Sequence, residues 1–539
     1  MALDGNEEAF IQKNVGDDMI LEKILSKFRP LGPFYLRLMP FLIFSSMTNA
    51  FYCMNYVFAA VNVEYRCKYE CEEAHNITEA FLNITRNVDK CHKYQLIDKT
   101  GDCSIDNVNT SRVETCLEWV YEDPHSFVAD FQLACQDWKR TLVGTVHVLG
   151  YMMGLLLLGP VSDKLGRKKL IVFTGLTGAV MGLARSVTAS YWVYIALELI
   201  EALLGDSYSS NYMLGVEMVT KENRVLFAPL MIGSMAVAGG MMALVAWLIP
   251  YWRYFLRVIY GPGLLFILHA FFLPESVRWL LIKGRKEEAK NILRKAAITS
   301  KVDIDEAKLD SIDCERSVGS TNLISLMRMT MTSRKLLLRF LACACMWITS
   351  SFNKYALLIN SVSLEGNKHL NYALTALSDL PASILLIYIL IRFKRKNPLI
   401  FSFLLTGMFC VVQSFIPKGY PQLSITLFLM GKFTSAISYA TVYLYTSELF
   451  PTYTRNTMHA LCSSIGRLGS IIAPQTPLLI QFWSGLPSLI IGSLSLMTGL
   501  VIMMMPDTSE DVLPDTVKEA EALGTTKRER KLGQRGLFK

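Results

Sequence analysis

The chain has 539 residues, 52% hydrophobic and only 19% charged, with a positive mean hydropathy. That apolar excess excludes an ordinary water-surrounded globule and places most of the chain in lipid. The formal net charge of +8 is gathered in short loops between apolar stretches, so it reports topology and gives no basis for nucleic-acid binding.

The N-terminal tail, residues 1–37, carries Asp4, Glu7, Glu8, Asp17 and Asp18 and lacks the basic-then-apolar layout of a cleaved leader. The first span is therefore expected to act as its own anchor. A hydrocarbon core of roughly 30 Å takes about 20 apolar residues as helix. Spans 1 to 6, at 38–61, 141–159, 170–188, 191–216, 226–249 and 254–273, form a first half over 38–273. Spans 7 to 12, at 339–361, 370–391, 398–416, 421–447, 456–481 and 486–505, form a second half over 336–505, followed by a tail at 506–539. Basic clusters follow span 2 (Lys164, Arg167, Lys168, Lys169), span 4 (Lys221, Arg224), span 6 (Lys283, Arg285, Lys286) and span 8 (Arg392 to Lys396). Every one is an even-numbered exit, so these loops and both termini are expected to be cytoplasmic.

Residues 62–140 then face outside, and they hold the glycosylation sequons at Asn76, Asn83 and Asn109. They also hold Cys67, Cys71, Cys91, Cys103, Cys116 and Cys135. An even set in an oxidising compartment predicts a disulfide-stapled outer domain, with about fifteen pairings open to six cysteines. Cys53, Cys314, Cys343, Cys345, Cys410 and Cys462 are expected to be free thiols serving as small apolar residues. The inner loop, 274–335, contains GRKEEAKNILRKAA, which predicts a short amphipathic helix bracing the two halves.

The run GPVSDKLGRKK, Gly159 to Lys169, joins spans 2 and 3. Asp163 and Arg167 offer a charge pair at a helix end, and Gly159 and Gly166 suit a close approach and a sharp turn. Taken with PESVRWL at Pro274 to Leu280, SELFPTYTRN at Ser447 to Asn456 and the cysteine-rich loop after span 1, it resembles the organic ion transporters of the major facilitator superfamily, which include organic cation, carnitine and organic anion transporters. The resemblance covers nearly the whole chain. It implies an all-α membrane fold of twelve helices in two six-helix halves, alternating access at the plasma membrane, and a monomeric transport unit. It also implies cytoplasmic salt-bridge clusters built from Asp163, Arg167, Glu217, Arg224, Glu275 and Arg278 in the first half and from Glu448 and Arg455 in the second. These would close the inner side and part when it opens. PESVRWL has Val277 where the family commonly has proline, and the second-half counterpart of the opening run, IRFKRK at Ile391 to Lys396, has lost its acid and first glycine.

A binding site is expected near the midplane between the halves. Ionisable residues at that depth cost at least roughly 2.5–3.5 kcal/mol on insertion scales, so each needs a partner or a task. Arg467 lies twelve residues past Arg455 in span 11, about 18 Å into the membrane, and its planar fork suits a carboxylate. Glu198 and Glu201 share a face of span 4, followed by Asp206, Tyr208 and Tyr212, and together these could hold an amine. Alternatively, the acids neutralise Arg467 or Lys432, for which Glu448 and Asp379 are other possible partners. Lys354 stands where the family often has a tyrosine, with Tyr355 beside it; it lines the cavity or reaches outward to the surface. These residues favour a zwitterionic, carnitine-like substrate, then an organic anion, with organic cations third. A coupling ion or exchanged solute is open.

The chain has no G-x-x-x-x-G-K-[ST] phosphate loop, nucleophile elbow, metal-ligand spacing or H-E-x-x-H helix. It is therefore not expected to be an enzyme or to carry a cofactor or metal. The rival from another class is a receptor with a transporter fold that binds its ligand without moving it.

Overall fold

The computed structural model describes residues 21–29, 32–73, 79–85, 88–98, 102–220, 223–303, 333–393, 395–417, 419–450, 452–506 and 520. Asn76, Cys314 and the side chains of Arg224 and Arg455 lie outside the described residues.

The twelve spans form as helices. Span 1 runs Pro33–Met54, span 2 Asp137–Leu165, span 3 Arg167–Arg185, span 5 Arg224–Leu248, span 7 Arg334–Asn360, span 9 Lys396–Ser414, span 10 Pro421–Leu449, span 11 Thr452–Ile472 and span 12 Leu486–Met503. The others are broken. Span 4 is Tyr191–Leu204 and Tyr208–Met218, span 6 is Trp252–Tyr260 and Phe266–Phe272, and span 8 is Lys368–Leu377 and Asp379–Arg392. Eight helices among the described residues are long and apolar enough on their own to cross a bilayer. Span 4 falls short because each of its two pieces is too short, and spans 1, 3 and 11 because they carry polar or charged residues such as Asn49, Arg167, Lys168 and Arg467.

The apolar core shows how the halves meet. On the outer side one cluster draws on both, uniting Tyr52, Tyr56 and Phe255 with Phe352, Tyr372 and Ala473. On the inner side the cores are separate. One uses residues of the first half, such as Leu38, Ile171 and Leu214, with the N-terminal segment and the inner loop, such as Leu25 and Trp279; the other uses only second-half residues such as Phe340, Leu399, Val442 and Met458. Hydrogen bonds seal the outer side further: Thr141 donates to Gln475 Oε1 at 3.0 Å, Gln475 Nε2 donates to Thr145 at 2.6 Å, and Gln481 Nε2 donates to Asp137 at 2.7 Å. The structure is therefore closed at the end that carries the disulfide-bonded domain and divided at the opposite end.

The outer domain departs from a wholly helical reading. It pairs β1 (Tyr65–Cys67) with β4 (Trp119–Tyr121), and β2 (His92–Leu96) with β3 (Val108–Thr115), both antiparallel. Disulfides join Cys67 to Cys116, Cys71 to Cys103 and Cys91 to Cys135. The domain docks on the first half: Trp252 Nε1 and Arg253 Nε both donate to Asp130 Oδ2, at 3.0 and 2.9 Å, and Phe127 packs edge-on against Tyr194 and Trp252.

The inner loop forms the expected helix, Lys286–Ser300. Its Ala289, Leu293 and Ala296 pack into the inner core of the first half, rather than bridging both halves.

Candidate functional site

The loop after span 2 is held by a compact set of polar contacts. Gly166 has φ +105°, a conformation side chains disfavour, and this reverses the chain between spans 2 and 3. Arg167 reaches Asp163 Oδ1 at 2.6 Å and Glu217 Oε1 at 3.1 Å. Glu275 Oε1 accepts from the backbone N–H groups of Arg167 and Lys168 at 2.9 and 3.1 Å, capping the start of span 3. Trp279 Nε1 donates to the Asp163 carbonyl at 3.0 Å. Gly159, in contrast, has nothing within 4 Å of the position a side chain would take, so it does not serve the close approach expected of it.

Two further members of the expected clusters have partners from outside the set. Arg278 pairs with Glu22 at 2.6 Å, tying the N-terminal segment to the inner loop. Glu448 pairs with Arg395 at 2.7 Å. The second-half run that lost its acid has thus kept a base, and Arg395–Glu448 repeats the Arg167–Glu217 arrangement at the matching loop. The pairs of Arg167 also stand closed while the outer side is sealed. Both partners in each belong to one half, so parting the halves does not require breaking them.

Span 4 breaks at Gly205–Ser207, where Gly205 packs directly on Gly178 of span 3. Asp206 Oδ1 accepts from the Tyr208 N–H and from Asn49 Nδ2, both at 2.9 Å, restarting the helix. Around this break the two halves bring cations and rings together. Arg467 lies 5.4 Å from the centre of the Tyr151 ring and within electrostatic reach of Tyr355, Tyr439, Tyr443 and Asp206. Lys354 Nζ lies 4.1 Å over the ring of Tyr439, which bonds to the Tyr443 hydroxyl at 3.0 Å. Tyr439 is in the middle of span 10, so Lys354 points inward rather than snorkelling to the surface. Among the described residues no carboxylate lies within 4.0 Å of either cation; Lys432, by comparison, pairs with Asp379 at 2.7 Å. Tyr355 is at this site. Tyr212 stacks on Tyr208 and lies tilted beside Phe227 in the first half, and Tyr208 is within electrostatic reach of Tyr439.

Glu198 and Glu201 do not meet Arg467 or Lys432. Their partner is Arg185, at the outer end of span 3 and fully buried. Arg185 also donates to the Tyr260 hydroxyl, and Tyr260 stacks on Tyr52. His147 Nδ1 lies 2.8 Å from Glu198 Oε1 and 3.6 Å from Glu201 Oε2. Sequence reasoning missed Arg185 because an arginine at a span end reads as a snorkelling residue. The signal that could have found it is the unpaired double negative charge of span 4.

A model of the sugar (and other) transporter family matches residues 93–513. The chain belongs to that family. Solute carrier family 22 member 1 of Bos taurus is 32% identical over 414 residues, covering 75% of this chain and 72% of its own length, which places the chain among the family 22 solute carriers. The organic cation transporter protein of Drosophila melanogaster is 28% identical, covering 93% of this chain and 95% of its own. Human organic cation/carnitine transporter 2 is also 28% identical, at 90% and 91%. The inward-open structure of the E. coli xylose transporter XylE superposes with a TM-score of 0.55 at 15% identity, covering 90% of this chain and 99% of that one. This solute carrier is therefore a membrane transporter with the major facilitator fold, and it is not an enzyme.

Proposed function

We propose that this solute carrier moves a small carboxylate-bearing organic ion across the plasma membrane by alternating access, with both termini in the cytoplasm. The observation that carries this is the pair Arg467 and Lys354, two cations facing a ring of tyrosines without a carboxylate within 4.0 Å among the described residues. With Asp206 as the one acid in electrostatic reach, a net positive charge remains; an uncompensated charge at that depth is costly, and a bound carboxylate supplies the missing countercharge. Arg467 offers a bidentate fork, and the tyrosine hydroxyls offer further donors. The sequence favours zwitterions on the strength of Glu198 and Glu201; with both held by Arg185, that support is gone and the organic anion moves to first place. Asp206 sustains the zwitterion as a second reading, because its carboxylate is within electrostatic reach of Arg467 and could face an ammonium. An outer core shared by both halves, with separate inner cores, supports alternating access.

The test is uptake of labelled p-aminohippurate, carnitine and tetraethylammonium by cells expressing the chain. Removing a charge-assisted hydrogen-bond donor costs roughly 1.5–3 kcal/mol, so Arg467→Ala should lower carboxylate uptake about tenfold to a hundredfold at unchanged surface level. Efficient tetraethylammonium uptake that survives Arg467→Ala would refute the carboxylate reading. Absence of saturable uptake of all three would favour the receptor.

A further inference from the structure

The buried network of the first half has an unbalanced charge. Glu198, Glu201 and Arg185 are each 1% exposed or less, and His147 is 3% exposed. Two carboxylates against one guanidinium leave one negative charge when the imidazole is neutral. His147 touches both acids through Nδ1, and its Nε2 is buried without a hydrogen-bond partner. His147 and Glu201 line a small pocket together with Asn49, Tyr52, Cys53, Tyr151 and Asp206. The groups facing His147 are thus Glu198, Glu201 and Asp206 from span 4, Arg185 from span 3, and Tyr52, Cys53 and Tyr56 from span 1. Tyr151 lies on its own helix, and Tyr260 of span 6 stands behind Arg185.

We propose that His147 and Glu201 form a proton site, and that one proton is carried with each organic anion; this rests on the carboxylate reading of the central site. The step is a single protonation. A proton from the cavity adds to the imidazole, giving an imidazolium between two carboxylates, and leaves again to the side toward which the cavity opens. One ligand atom each from His147, Glu198 and Glu201 falls within 4.8 Å of the others, but Arg185 shares that space and its charge opposes a metal cation. A proton needs no coordination shell.

Position and charge both support coupling. His147 is one helical turn from Tyr151, whose ring faces Arg467. On its other side the His147 ring lies 5.8 Å from Tyr56. Tyr56 closes the outer seal with Gly144 and Pro474, and an added methyl at Gly144 would come 2.6 Å from the ring and 2.8 Å from the proline. The site therefore stands between the seal and the substrate. The central site carries one net positive charge, Arg467 and Lys354 against Asp206, and the network carries one net negative charge. The two sites together are neutral when empty, and neutral again when they hold both anion and proton. Anion alone or proton alone leaves an uncompensated charge inside the protein during reorientation, which low-polarity surroundings disfavour.

The experiment uses the full-length protein in liposomes loaded with a pH-sensitive dye. Addition of p-aminohippurate outside should acidify the lumen by about one proton per anion, and an acid-outside gradient should drive accumulation without sodium. His147→Gln and Glu201→Gln should each reduce substrate-driven acidification about tenfold or more and flatten the pH dependence of uptake. Exchange of labelled for unlabelled p-aminohippurate in the unmodified protein separates the two readings. No exchange means the carboxylate reading fails. Exchange without proton flux, exchange that requires sodium, or proton flux undiminished in both variants overturns the proton site alone.

Discussion

Arg185 gives the sharpest test of the buried network. Replacing it by methionine keeps most of the side-chain volume but leaves Glu198 and Glu201 without their guanidinium and the Tyr260 hydroxyl without one donor. Breaking a buried ion cluster by removing one partner costs about 3–5 kcal/mol, which lowers the folded-to-unfolded ratio by roughly two to three and a half powers of ten. Arg185→Met should therefore lose most of its surface-expressed, fully glycosylated form. The double variant Arg185→Met with Glu198→Gln removes one charge of each sign and keeps His147 beside Glu201. It should regain most of the loss, with a residue of about 1 kcal/mol for the tyrosine hydrogen bond. Surface biotinylation and the thermal midpoint of detergent-solubilised protein by size-exclusion read both variants. A single variant as stable as the unmodified protein, or a double variant no better than the single, would refute the reasoning.

Two further predictions concern the inner loops. Gly166→Ala forces a side chain into positive φ and against the Glu275 carboxylate that caps span 3, so it should cost about 1–3 kcal/mol and lower the thermal midpoint. Gly159→Ala, in a helix with open space around it, should be neutral or stabilise by up to about 1 kcal/mol; equal loss in both would count against the assigned geometry. Arg395 is 37% exposed at its side chain, so its pair with Glu448 contributes about 1 kcal/mol or less to stability. Arg395→Glu and Glu448→Arg should each slow uptake at normal surface abundance, and the charge-swapped double should recover it. A double as slow as the singles would show that the pair does not act as one.

What the sequence disclosed follows from physical period and depth. Twelve apolar runs are a property of the chain alone, so span count could be read without coordinates. Arg467 was visible because it lies far from either end of its span. Arg185 was hidden because it closes span 3, where a long side chain can be imagined reaching water; only the packing of span 3 on span 4 turns it inward. Lys354 was undecided for the same reason until span 10 brought Tyr439 beneath it. The strands of the outer domain are three to eight residues long, too short for a reliable alternation. Their disulfide pairing depends on contacts that spacing cannot supply.

The docking of the outer domain on Asp130, Trp252 and Arg253 makes it a lever arm. Its stapled strands turn with the first half as one solid, while the end of span 11 belongs to the other. Leu117 in the domain is 86% exposed and Phe482 beyond span 11 is 82% exposed. If the halves rock against each other as proposed, each swing changes the separation between these two accessible points, and paired labels there read it in an intact membrane.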